Sequence, residues 1–271
     1  MNLINRIKKT RRQVDNIYKM LKYGFLEEKY IQGVNIKYGP DKKQYYRVYD
    51  AINSKSTIFF VHGGGWCQGS PILYSGVGKY LCKHGYTTII AGYRLVPKYT
   101  YPVQIEDAFK AFSHYILNNN VKRIIIGGYS AGAEIASHLV FDTHRQGLYK
   151  INNSIITGFL SLSGVLNFLE CDSKSSRRLI KNYIRNNEID DLNPMNLLGG
   201  EINISTMLIH GDDDTLINVK NSITFFKNLR ELNKNTILKI IKNVDHEHII
   251  DIIRGSGNKY STEILDFLNK L

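Results

Sequence analysis

Arg123-Ile-Ile-Ile126, then Gly128-Tyr129-Ser130-Ala131-Gly132, then Glu134-Ile-Ala-Ser-His-Leu-Val140 follow one another with little between them. The first is an apolar, β-branched run that reads as a strand. The last reads as a helix, and a serine between two glycines fills the turn that joins them. Only in this strand–turn–helix setting does Gly-x-Ser-x-Gly become a nucleophile elbow. The flanking glycines let helix and strand approach where any side chain would collide. The serine is then presented at the carboxyl end of a strand, and the amino end of the next helix favours negative charge developing there.

On either side of this stretch, apolar runs fall near residues 33–38, 45–51, 57–61, 87–92, 123–127, 156–162, 205–210 and 236–241. Gly39-Pro40-Asp41 separates the first two and predicts an antiparallel pair. From the third onward, runs alternate with segments long enough for crossover helices, which predicts a mostly parallel, doubly wound sheet. Thr57-Ile-Phe-Phe-Val61 and Met207-Leu-Ile209 are apolar on both faces, as expected of strands covered by helices on both sides. With no internal repeat and no Pro/Gly/Ser-rich linker, the expectation is one α/β domain over 1–271. Two segments break the rhythm. Residues 1–30 form a basic amphipathic pattern, with Ile4, Ile7, Val14, Ile17, Tyr18 and Leu21 near one stripe. That pattern predicts a cap or arm helix over the body, with a membrane-surface anchor or a loose arm as alternatives. Residues 165–203 are long and polar, contain a helical stretch from Ser176 to Arg185, and predict a small cap or pocket wall.

A serine hydroxyl is a poor nucleophile at neutral pH unless a base adjoins it and a third group orients that base. On this topology acid and histidine should follow the serine in chain order, on later strand-end loops. His210-Gly211-Asp212-Asp213-Asp214 follows the seventh run, and Asp245-His246-Glu247-His248 follows the eighth. Among the three aspartates Asp214 is the candidate acid, since Asp212 is placed to hold the Gly211 turn. His246 is the candidate base and His248 the alternative. The alternating histidines also invite a metal reading, but no third ligand cluster accompanies them, and no metal or organic cofactor is expected. At the end of the third run stands His62-Gly63-Gly64-Gly65-Trp66. Three glycines in a row bury no side chain and cost conformational entropy. Backbone that must approach a reacting carbonyl needs that bareness, and each amide donated to an oxyanion is worth on the order of 3 kcal/mol. The N–H groups of this glycine run, with that of Ala131, are the candidate oxyanion donors, and Trp66 and Tyr129 are candidate pocket walls or core.

The 271 residues are 43% hydrophobic and 22% charged, ordinary for a chain that buries a sizeable core. No apolar stretch approaches the ~20 residues that span a bilayer, and the amino terminus lacks a secretory pattern. Cys67, Cys82 and Cys171 show neither a disulfide frame nor a zinc spacing. These features predict a cytoplasmic protein without stable membrane insertion. The net charge of +12 is concentrated at the start, where seven basic residues face Asp15 alone within the first 22. No aromatic–basic ladder accompanies it, so nucleic acid is not an expected partner.

The chain is identified as a member of the α/β-hydrolase superfamily and resembles its hormone-sensitive-lipase-like carboxylesterases. His62-Gly63-Gly64-Gly65-Trp66 carries the resemblance, with Tyr93-Arg94-Leu95-Val96-Pro97, Tyr101-Pro102 and Glu106-Asp107-Ala108, over roughly residues 45–271. It implies an eight-stranded, mostly parallel sheet, a Ser130–His246–Asp214 triad and an oxyanion hole at Gly64, Gly65 and Ala131. It further implies hydrolysis of a small carboxylic ester through an acyl-enzyme. Two departures mark this chain: the group usually has Asp where Tyr129 stands and Gly where Ala133 stands. Ser130-Ala131-Gly132-Ala133 and Asp245-His246 are instead similar to the kynurenine formamidases. An arylformamidase or a small peptidase of the same fold is therefore the alternative activity, and a homodimer is possible on the sequence alone.

Overall fold

The computed structural model describes Tyr18 and residues 31–200, 202–254 and 260–271. The expected amino-terminal helix over 1–30 lies outside these residues, Tyr18 apart. Eight strands form one sheet: β1 (Val34–Lys37), β2 (Tyr45–Tyr49), β3 (Ser56–Val61), β4 (Tyr86–Ala91), β5 (Ile124–Tyr129), β6 (Ile156–Leu162), β7 (Ser205–Gly211) and β8 (Thr236–Ile241). Each lies on one of the eight apolar runs. The expected antiparallel opening pair is present, with Val34 opposite Val48. Asp41 closes its turn, accepting the Lys43 amide at 2.9 Å on Oδ1. Strand β2 runs antiparallel to β4, and every later pairing is parallel.

The spatial order is β1-β2-β4-β3-β5-β6-β7-β8. The chain therefore leaves β3 towards β4 on one side and later resumes at β5 on the other. Crossover loops diverge at such a reversal, and the crevice between them at the strand carboxyl ends is where ligands bind in open α/β sheets. Here those ends are Val61 and Tyr129, so the glycine run and Ser130 flank one crevice.

Alternate side chains of each strand enter different cores, as the two-residue period requires. On β5, Ile124 and Ile126 pack with Phe59, Phe109, Phe112 and Leu229, while Ile125 packs with Ile58, Phe60, Leu81 and Phe267. This places helices α2 (Val103–Asn118), α3 (Ala131–Phe141) and α6 (Lys220–Leu232) on one face, and α1 (Ser75–Lys83) and α7 (Tyr260–Asn269) on the other. A short helix, α4 (Thr143–Leu148), follows α3, and α5 (Lys174–Ile184) occupies the polar segment after β6 where a helical stretch was expected. Every residue of α3 is buried, including Glu134, Ser137 and His138, which share one face of the helix.

Candidate active site

Ser130 lies between β5 and α3 with φ +54° and ψ −124°. A non-glycine residue held there stores about 1–3 kcal/mol of strain, tolerated only when its surroundings enforce it. They do so here by close packing. A Cβ on Gly128 would overlap the Gly132 carbonyl, and a Cβ on Gly132 would overlap the carbonyl oxygens of Val61 and His62. The Ser130 amide is anchored to the Leu162 carbonyl at 2.9 Å.

The three distant candidates meet. His246 Nε2 stands 2.8 Å from Ser130 Oγ, and His246 Nδ1 stands 2.6 Å from Asp214 Oδ2. The other oxygen of Asp214 accepts the amides of Leu216 at 3.0 Å and Ile217 at 2.8 Å. All three residues are buried. Burial alone would lower the His246 pKa, but the Asp214 charge and hydrogen bond outweigh it and leave the imidazole above its ordinary value. Burial alone would raise the Asp214 carboxyl, and the His246 and His210 imidazoles instead hold it well below the usual carboxylate range.

The alternative histidine sits elsewhere: His248 Nδ1 is bonded to Asp245 Oδ1 at 2.7 Å. Both ring nitrogens of His246 are engaged with Ser130 and Asp214, which leaves no alternating pair to hold a metal. Among the described residues, no group of three His, Cys, Asp or Glu side chains could hold an ion. Asp212 accepts the Asn243 amide at 2.7 Å and ties the loop after β7 to the loop after β8. Tyr129 donates to the His246 carbonyl at 2.7 Å, fastening the histidine loop to the strand that carries Ser130.

The glycine run turns through successive left-handed residues, Gly64 at φ +127°, Gly65 at +56° and Trp66 at +59°. A Cβ on Gly64 would overlap the Gln68 carbonyl, whereas the Cys67 and Gln68 amides close the turn onto Gly64 O at 3.1 and 3.0 Å. His62 is structural. Its Nδ1–H donates to Gly63 O at 2.8 Å, and its ring stacks on Tyr93 at 4.3 Å between centroids. Burial lowers its pKa to about 4, so it stands neutral. The Tyr93–Pro97 segment holds the glycine loop from behind. The Tyr93 hydroxyl donates to His62 O at 2.9 Å and Val96 N–H donates to Trp66 O at 3.0 Å. Arg94 meets Asp107 through two bonds of 2.7 and 2.8 Å.

Gly64, Gly65, Ala131, Ser130 and His246 line one pocket of about 630 Å³. Its walls are Leu73, Val165, Leu179, Ile180, Leu216 and Ile217, with Trp66 and Tyr129 also reaching it. Leu179 and Ile180 belong to α5, within the 165–203 segment. Trp66 is both lining and core, being 1% exposed and stacked on Tyr183. Three participants escaped the sequence reading. His210 touches Asp214, Glu134 bonds Trp66, and Tyr183 packs behind it. His210 alone had a signal, standing at a strand end four residues before Asp214.

This arrangement defines a class. The chain matches the alpha/beta hydrolase fold family over residues 58–249 and belongs to it. It is 37% identical over 90 residues to the arylacetamide deacetylase of Bos taurus, a stretch amounting to 30% of this chain and 23% of that one. Esterase B of Lactobacillus rhamnosis superposes with a TM-score of 0.76 at 19% identity, covering 98% of this chain and 95% of that one. A hormone-sensitive lipase from a metagenome library gives 0.76 at 16% identity, covering 96% and 89%. The expected membership of the α/β-hydrolase superfamily is thus borne out. The first curated relatives are much longer proteins, of which the matched stretch spans less than a quarter. None of the described helices is long and apolar enough to cross a membrane.

Proposed function

We propose that this protein is a serine hydrolase cleaving small carboxylic esters through an acyl-enzyme. One observation carries the reading: His246 bridges Ser130 Oγ at 2.8 Å and Asp214 Oδ2 at 2.6 Å, beside a loop of bare glycine amides. Asp214 holds the Nδ1–H tautomer, leaving the Nε2 lone pair on Ser130. As Ser130 Oγ bonds to the substrate carbonyl carbon, His246 takes its proton, and the amides of Gly64, Gly65 and Ala131 receive the oxyanion. The imidazolium then protonates the departing alcohol as the C–O bond breaks. Water enters, loses its proton to the same nitrogen, and releases the acid with Ser130 regenerated. The apolar walls support a substrate with a short or aromatic acyl group rather than a polar one.

A second reading has its own support. The likeness to an arylacetamide deacetylase and the formamidase-like Ser130-Ala131-Gly132-Ala133 favour amide bonds of aryl compounds. Labelling with a fluorophosphonate probe tests the shared chemistry: Ser130 should label, and Ser130→Ala should not. Kinetics on short p-nitrophenyl esters, an N-aryl acetamide and N-formylkynurenine then separate the two. A wild-type chain that neither labels nor hydrolyses any of them would refute both.

A further inference from the structure

Behind the glycine loop, three elements converge on one carboxyl group. Glu134 occupies the first turn of α3, four residues after Ser130, and is 0% exposed. Its Oε2 accepts the Trp66 indole N–H at 2.9 Å, and the Tyr183 hydroxyl of α5 stands 3.4 Å from the same oxygen. His138, one turn along α3, places Nε2 3.2 Å from Oε1. The indole lies flat on the Tyr183 ring, with centroids 4.3 Å apart and planes 7° apart.

A fully buried carboxyl group is costly unless bonded, and an apolar side chain would pack a helix against a loop more cheaply. What the carboxyl group adds is direction. Trp66 is a bulky residue at φ +59°, a conformation that L-residues avoid. Its bond to Glu134 and its stack on Tyr183 fix the side chain, and Trp66 O in turn receives Val96 N–H. Gly65 immediately precedes it, so these contacts hold the chain directly beside the Gly64 and Gly65 amides. Glu134 is itself on the helix that Ser130 opens, and its amide returns to Ser130 O at 3.4 Å.

We propose that Glu134 is a positioning residue for ester hydrolysis: through the Trp66 N–H it registers the oxyanion amides against Ser130, and through Tyr183 it ties α5 to the same point. This rests on the hydrolase reading above. Displacing such donors by about 1 Å costs up to ~100-fold in rate.

The test compares wild type with Glu134→Gln, which keeps an acceptor, Glu134→Leu, which does not, and Trp66→Phe, which keeps the stack but loses the donor. Each is assayed on p-nitrophenyl butyrate and on its thionoester, whose larger sulfur a well-aligned oxyanion site discriminates against. Circular dichroism and melting temperature are followed throughout. Glu134→Gln should stay within ~3-fold of wild type. Glu134→Leu and Trp66→Phe should lose ~10–100-fold in kcat with KM within ~3-fold, and their preference for oxygen over sulfur should shrink. Should Glu134→Leu fail to fold, Trp66→Phe decides. Folded variants that keep kcat, or lose it with the oxygen-to-sulfur ratio unchanged, would overturn the proposal. A wild type inert to ester and fluorophosphonate is a separate outcome, which removes the hydrolase reading and this inference together.

Discussion

His210 Nε2 lies 3.1 Å from Asp214 Oδ2, the same oxygen that His246 Nδ1 reaches at 2.6 Å. Two imidazoles therefore share one carboxylate oxygen. His210 is oriented by Ser222 Oγ at 2.7 Å on its Nδ1 and by Ile217 O at 2.9 Å on its Nε2. Since Ile217 O can only accept, Nε2 carries the proton and donates towards Asp214 as well. Replacing His210 by Phe removes that donor and leaves Asp214 to spend its charge on His246 alone. The expected result is a loss of roughly 10-fold in kcat from a less constrained carboxylate, with the acid limb of the pH profile moving up. A downward shift would show that His210 acts otherwise.

The raised pKa of His246 fixes the shape of the activity profile. As the proposed general base, His246 must be neutral to act, and Asp214 stabilises its protonated form. Activity should accordingly rise through an apparent pKa above the ordinary histidine value of ~6.5, read from kcat/KM against pH in the free enzyme. Asp214→Asn removes the charge and permits the wrong tautomer, and a loss on the order of 10⁴ in kcat is expected. If Asp214→Asn retained most of the activity, the orienting role would have to pass to another carboxylate.

The strands were legible because each carries a β-branched apolar run. The strand ends were legible too, because Gly128, Gly132, Gly63 and Gly64 mark turns where backbone approaches backbone too closely for a side chain, and Gly65 continues the turn at a positive φ. His246 over His248 was read from the sequence, but only the fold, which turns His248 towards Asp245, separates them. Glu134 and Tyr183 were not legible. A glutamate in a helix usually faces water, and nothing in Lys174–Ile184 marks which of its residues turns inward beneath an indole. Buried polar contacts join residues far apart in the chain, and periodicity records only the face of an element.

Neighbouring glycines should respond unequally. At Gly64 a Cβ would strike the Gln68 backbone carbonyl, at a φ of +127°. At Gly65 it would meet only the Leu179 methyl groups at 3.0 Å, at φ +56°, where a non-glycine residue costs about 1–2 kcal/mol. Gly64→Ala should therefore lose ~100-fold or more in kcat, and Gly65→Ala distinctly less. Equal losses would indicate that the amides, rather than the space, set the response.

Leu179 narrows the pocket from α5, opposite Gly65. Leu179→Ala removes three carbons from a wall that an acyl chain would contact. Relative to wild type, kcat/KM for octanoyl over butyryl esters should rise by ~10-fold, the order expected of one or two extra methylenes accommodated. An unchanged ratio would place the acyl chain on the other side of the crevice, against Leu216 and Ile217.

His62 links the glycine loop to acid stability. Unfolded, its imidazole takes up a proton near ~6.5. Folded, burial against Tyr93 and Tyr74 holds it neutral down to about 4. Between those values the unfolded chain binds more protons, so stability falls as pH falls through that window, by up to about 3 kcal/mol. Above it, the group contributes no pH dependence. His62→Phe should be destabilised by a constant amount, through the lost bond to Gly63 O, yet lose less on acidification. Urea midpoints for both proteins at pH 7, 5.5 and 4.5 measure this directly: the two curves should converge as the pH drops, and curves that stayed parallel would show that His62 takes up its proton without unfolding the loop.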